Sequence, residues 1–185
     1  ATGQNSISQV TKDYIDGLPQ DSNIRIIGLF ERPANIKDTP YEYIVPLLDD
    51  YQAKSNGKIT VEYIDPQKFP SIISQLDPAG VYDLTQDTFV VTSGDKLSVI
   101  SPYDCFSYDS QAATYGYSLP TENLVEYTFT NTIHNQISGF SKHAYFVTGL
   151  QEDSSTQLKS ILTSLGCDSA DLPVSNEFTI PDNCD

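Results

Sequence analysis

The chain has 185 residues, with 10 basic against 25 acidic side chains, a net charge of −15, and neither Met nor Trp. That length buries a real core and accommodates one or two domains. A surface so negative repels phosphate backbones and anionic headgroups, which argues against nucleic-acid partners and peripheral membrane binding.

In chain order, Ile7, Val10, Tyr14, Ile15 and Leu18 recur at helical spacing before Gly17 and Pro19, predicting a short amphipathic helix over 6–18. Residues 23–30 form a mostly apolar run suited to a buried strand. Thr39-Pro40-Tyr41-Glu42 reads as a capping box with proline at the first helical position. The helix it opens carries Ile44, Leu47, Leu48 and Tyr51, is kinked at Pro46, and closes at Asn56-Gly57. Residues 58–64 alternate and are β-branched, hence a strand ended by Asp65-Pro66. A short helix over 67–77 and a hairpin around Ser93-Gly94-Asp95 follow. The Tyr-rich stretch 102–120 shows no periodicity and is read as a long loop. Val125, Phe129, Ile133 and Ile137 lie four apart, predicting a helix over 122–138, then a strand over 143–148. Asp153 or Ser154 caps an expected helix with Leu158, Ile161, Leu162 and Leu165, closed by Gly166; a last strand is expected near 177–180.

The chemistry-bearing residues are sparse. The acids are spread along the chain, and none falls in a calcium-hand pattern. The two histidines, His134 and His143, stand at no metal-ligand spacing to Cys105, Cys167 or Cys184, so no metal and no cofactor are expected. In an oxidising compartment Cys167 and Cys184 are the candidate disulfide, leaving Cys105 unpaired; idle thiols are the alternative. No nucleophile elbow and no phosphate-binding loop occur. Two carboxylates suffice for glycoside hydrolysis, so a carboxylate-dependent hydrolase stays open as an alternative. No stretch reaches the roughly 18 apolar residues that span a bilayer. With no signal peptide and no initiator Met, the chain is expected to be a processed part of a longer protein.

From 23 to 139 the expected order is strand, helix, strand, helix, hairpin, helix. This order resembles thioredoxins, and Ile44-Val45-Pro46-Leu47-Leu48 followed by Lys58-Ile59-Thr60-Val61-Glu62-Tyr63 looks like their kinked helix and second strand. Asp38 and Tyr41 stand where the two redox cysteines of that family would be, and Thr85-Gln86-Asp87 replaces its proline before the hairpin. Thiol exchange needs a low-pKa thiolate and a resolving thiol, which this pattern lacks.

A second resemblance covers most of the chain. Ser8-Gln9-Val10-Thr11-Lys12, Val61-Glu62-Tyr63-Ile64-Asp65-Pro66, Glu126-Tyr127-Thr128-Phe129-Thr130-Asn131 and Tyr145-Phe146-Val147-Thr148-Gly149 occur in the order seen in bacterial ABC-transporter auxiliary proteins of the gliding-motility type. That family often reads Gly-His-Gly-Glu after the last strand. Here Gly149-Leu150-Gln151-Glu152 lacks the histidine, which removes any role needing an imidazole there.

The resemblances imply an α/β chain: a thioredoxin-like module over 1–140, then over 141–185 the first part of a flavodoxin- or glutamine-amidotransferase-like unit. They imply a non-enzymatic, extracytoplasmic domain attached to the cell membrane through segments outside this chain. Its expected partners are the permease and ATPase subunits of one transport system, with a cell-surface protein or glycan as a further partner. Protein interaction or substrate presentation is the expected role, and a glycan- or peptide-binding module is the alternative. The candidate binding residues are Asp38, Tyr41, Tyr103, Tyr108, Tyr115, Glu126, Gly149 and Glu152.

Overall fold

The computed structural model describes residues 6–82, 84–117, 119–138, 142–148 and 167–173, without the side chains of residues 112, 113, 142, 143, 168 and 169. The chain divides into two compact units, Ala1–Gln136 and Ile137–Asp185.

The first unit is a mixed α/β structure. Helix α1 (Gln9–Asp16) starts at Ser8, whose hydroxyl accepts from the Thr11 N–H. Strand β1 (Ile24–Gly28) lies parallel to β2 (Ile59–Tyr63) and antiparallel to β3 (Phe89–Ser93). β3 turns at Gly94, φ 62°, into the antiparallel β4 (Lys96–Ile100). The sheet order is β2-β1-β3-β4.

Helix α2 (Tyr41–Lys54) buries Ile44, Val45, Leu47, Leu48 and Tyr51. It stops at Ser55 because Asn56 and Gly57 both take positive φ. Pro46 sits inside it, so the Glu42 carbonyl has no helical donor. Helix α5 (Val125–Ser138) buries Val125, Phe129 and Ile133 on one stripe. The Tyr51 hydroxyl joins α2 to α5, donating to the Glu126 carbonyl at 3.0 Å and bonding the Thr130 hydroxyl. Phe129 meets Phe89 of β3 edge-on at 5.5 Å. On the other sheet face Ile27, Leu29 and Val90 pack with Ile72 of helix α3 (Ser71–Leu76). Alternate strand residues thus feed two helical layers.

Several expectations need correction. Residues 102–120 are not a plain loop. They form a 3₁₀ turn (Pro102–Cys105), strand β5 (Phe106–Tyr108) and short helix α4 (Ser110–Thr114), and end at strand β6 (Pro120–Asn123), which pairs antiparallel with β5. All four residues of β6 are exposed, so no apolar alternation marked it in the sequence. α5 therefore starts at Val125 rather than 122, and α3 is confined to 71–76. The capping box is also rearranged: Pro40 holds the N-cap place, the Thr39 hydroxyl donates to the Ile36 carbonyl, and the Glu42 carboxylate accepts the Asp38 N–H. Asp38 has φ 60°, and this left-handed turn swings its N–H toward Glu42.

In the second unit β7 (Lys142–Thr148) pairs in parallel with β8 (Cys167–Pro173), from Lys142↔Cys167 to Thr148↔Pro173. β8, with two aspartates and a proline, carries no strand signal of its own. The expected helix over 153–166, the strand near 177–180, Gly149, Glu152 and Cys184, and with it the expected Cys167–Cys184 disulfide, lie outside the described residues. Among the described residues no helix is long and apolar enough to cross a membrane.

Candidate functional site

Four separate segments meet where the parallel strands end. Phe30 follows β1, Tyr63 closes β2, Phe89 opens β3 and Tyr41 opens α2. Phe30 stacks on Tyr41 at 4.2 Å, leans on Tyr63 at 5.4 Å and meets Phe89 edge-on at 5.3 Å. Gly28 makes this possible: a Cβ there would lie 2.8 Å from both the Phe30 and Tyr63 rings. The edge at the carboxyl ends of parallel strands is where open α/β sheets place ligand sites.

Polar groups ring the aromatics. The Tyr41 hydroxyl donates to Asp87 Oδ1 at 3.1 Å. Burial, together with Asp87, pushes the Tyr41 phenol well above its ordinary value, so it remains a neutral donor. Asp87 has φ 67°, and its N–H donates to the Leu29 carbonyl, stitching this loop to the end of β1. Non-glycine residues at positive φ are costly and collect at functional sites; Asp38 and Asp87 supply two here. Arg32 clamps Asp49 through two hydrogen bonds, at 2.6 and 3.1 Å, and lies 5.4 Å over the Tyr63 ring. Burial also raises the Tyr63 phenol, whose buried oxygen has no hydrogen-bond partner among the described residues.

The hairpin unit extends the aromatic face. Tyr103 is 66 % exposed and near enough to Tyr41 that an ionised Tyr103 would raise the Tyr41 phenol further. It tilts against Tyr108 at 6.3 Å, and Tyr43 of α2 meets Phe106 at the same separation. Asp104 caps the 3₁₀ turn through the Ser101 N–H and leaves its own side chain exposed.

Of the candidate residues, the fold brings Asp38, Tyr41, Tyr103 and Tyr108 into one region. Tyr115, 80 % exposed in the turn after α4, makes no ring contact with this cluster among the described residues. Glu126 does different work. Its carboxylate accepts from the Ser8 N–H and hydroxyl and holds α1 in place. Partial burial works against that charge, but the bonds from Ser8 and Thr11 outweigh it and lower the Glu126 carboxyl. Glu126 thus tethers α1 to α5, a contact that its spacing in the sequence did not indicate. Sequence reasoning missed Phe30, Tyr63, Phe89, Arg32 and Asp49. Only Asp87 had a signal, at the place of the missing proline.

Other reactive groups stand outside the cluster. Burial pushes the Cys105 thiol up to about 12. The exposed His134 ring meets Tyr14 of α1 edge-on at 5.8 Å. Among the described residues no group of three or more His, Cys, Asp or Glu side chains could hold a metal ion.

Residues 1–105 match a domain of unknown function (DUF7088). No curated protein and no solved structure matches the chain. The match takes in β1 to β4, α2 and all the aromatic cluster except Phe106, Tyr108 and Phe129. It spans more than half of the 185 residues, and the chain belongs to the DUF7088 domain family.

Proposed function

We propose that this chain is a thioredoxin-like binding module without thiol chemistry, serving in an extracytoplasmic auxiliary subunit of an ABC transport system. The observation that carries the binding role is the aromatic cluster around the Tyr41–Asp87 hydrogen bond, at the carboxyl edge of β1 and β2. The thioredoxin-like assignment is supported by the order β2-β1-β3-β4 with β3 alone reversed, and by α2 and α5 packing on the face opposite α3. In that arrangement Tyr41 and Asp87 occupy the places of a redox thiol and of the facing proline. A phenol held neutral against a carboxylate supplies stacking and hydrogen bonding in place of disulfide exchange.

The transport role rests on the ordered motif series from Ser8 to Gly149. The module's partners would be the permease and ATPase subunits, and its role protein interaction or substrate presentation. Affinity purification of the tagged full-length protein from native membranes tests this. Recovery of a permease and an ATPase, reduced by Tyr41→Ala, is the expected result. Recovery of neither subunit overturns the transport role.

A further inference from the structure

The tyrosine face has a charge pattern that selects among partners. Tyr41 stacks on Phe30 with one edge bonded to Asp87, and Tyr103 and Tyr108 continue the ring surface toward Asp104. Asp38, Asp87 and Asp104 are exposed around these rings. The cations nearby are committed or at the margin: Arg32 is clamped by Asp49, Lys68 is paired with Glu31 at 2.5 Å, and Lys37 is exposed on the loop before α2. Aromatic faces attract cations through the ring quadrupole, and carboxylates beside them add a direct charge. The whole chain, at −15, adds a steering field of the same sign.

We propose that the occupant of this face is a basic segment of a partner protein, whose Lys or Arg groups stack on Tyr103 and Tyr41 and pair with Asp87 and Asp104. The proposal deepens the binding-module reading and rests on it. Charge complementarity selects the occupant: an acidic or phosphorylated segment is repelled by the three aspartates, and a neutral glycan would leave those charges unused. A second copy of this chain is as negative as the first, which disfavours self-association through this face.

Fluorescence anisotropy of labelled hexa-arginine and hexa-lysine peptides with the full chain tests this, beside hexa-glutamate and a neutral chito-oligosaccharide. The basic peptides should bind and weaken as salt rises, because exposed charges are screened beyond about 10 Å at 0.1 M ionic strength. Tyr103→Ala should weaken binding about two- to fivefold, the range for one exposed cation–π contact. Tyr103→Phe, which keeps the ring, should restore it. Asp87→Asn with Asp104→Asn should weaken it further, whereas Asp13→Asn with Asp16→Asn on α1 should leave it unchanged. Circular dichroism of each variant confirms an intact fold, which the exposure of Tyr103 favours. Equal losses from the α1 pair would show binding to the overall negative charge and overturn the proposal. Tighter binding of the neutral oligosaccharide than of either basic peptide would also overturn it. Failure here with permease and ATPase still co-purifying removes only the basic partner and leaves the transport reading standing.

Discussion

Gly28 shows how one residue controls the aromatic cluster. Its missing Cβ is the space filled by Phe30 and Tyr63, so Gly28→Ala must push two rings apart. Overpacking of this kind costs about 1–3 kcal/mol, and urea unfolding should show that loss; an unchanged midpoint would mean the rings yield freely. Cys105 is fully buried, with its thiol pushed up to about 12. Iodoacetamide at about pH 8 should leave it unlabelled in the folded chain and modify it in urea, as mapped by mass spectrometry. Glu126 makes stability depend on pH. Its carboxyl is lowered in the folded state, so its contribution is present above the ordinary glutamate value and lost as pH falls through the folded value. Asp50 opposes that charge electrostatically while itself accepting from the Ile7 N–H and Lys54. The stability difference between wild type and Glu126→Gln should therefore be largest near neutral pH and shrink below about pH 4. A difference that stays constant down to acid pH would separate the tether from the charge.

At the level of elements, α1 depends on contacts that its own sequence does not contain. Its apolar side buries Ile15, and its N-terminus is held by Glu126 of α5. Its last carbonyls, of Ile15 and Asp16, receive the buried Lys58 ammonium at 3.1 and 2.9 Å. A cation at a helix C-terminus satisfies orphan carbonyls and favours the helix dipole. Lys58→Met keeps the apolar stem and removes the donor. It should cost about 1–3 kcal/mol, because the Asp16 carbonyl loses the ammonium while the Ile15 carbonyl keeps only the Leu18 N–H. Hydrogen exchange should then accelerate in α1 before the sheet, and uniform exchange would point to a global loss instead. Helix α5 is bound to the sheet in a comparable way: Gln136 donates to the Val91 carbonyl at 2.8 Å and to the Ser98 hydroxyl at 3.0 Å.

For the whole molecule, the DUF7088 match and the folded unit do not end together. The match stops at Cys105, whereas the first compact unit runs to Gln136 and includes all of α5 but its last two residues. A fragment of residues 1–105 lacks Phe129 and Ile133, both fully buried, and strands the Tyr51 hydroxyl and Phe89 ring that contact α5. Removing one such phenylalanine side chain alone costs about 3–5 kcal/mol. Residues 1–138 should unfold cooperatively in urea, and residues 1–105 should show no cooperative transition. The elements from α1 to β4 were legible in the sequence, because each repeats at its own period and stops at Gly17, Asn56-Gly57, Asp65-Pro66 or Gly94. By itself the sequence also determined the absence of a thiol pair at Asp38 and Tyr41 and a net charge that repels anions. Only the tertiary structure decided the β5–β6 hairpin, β8 and the aromatic face. Exposed strands carry no apolar alternation, and parallel pairing of β8 depends on a distant partner. The face joins Phe30, Tyr41, Tyr63, Phe89 and Tyr103, side chains from five segments that spacing along the chain cannot place side by side.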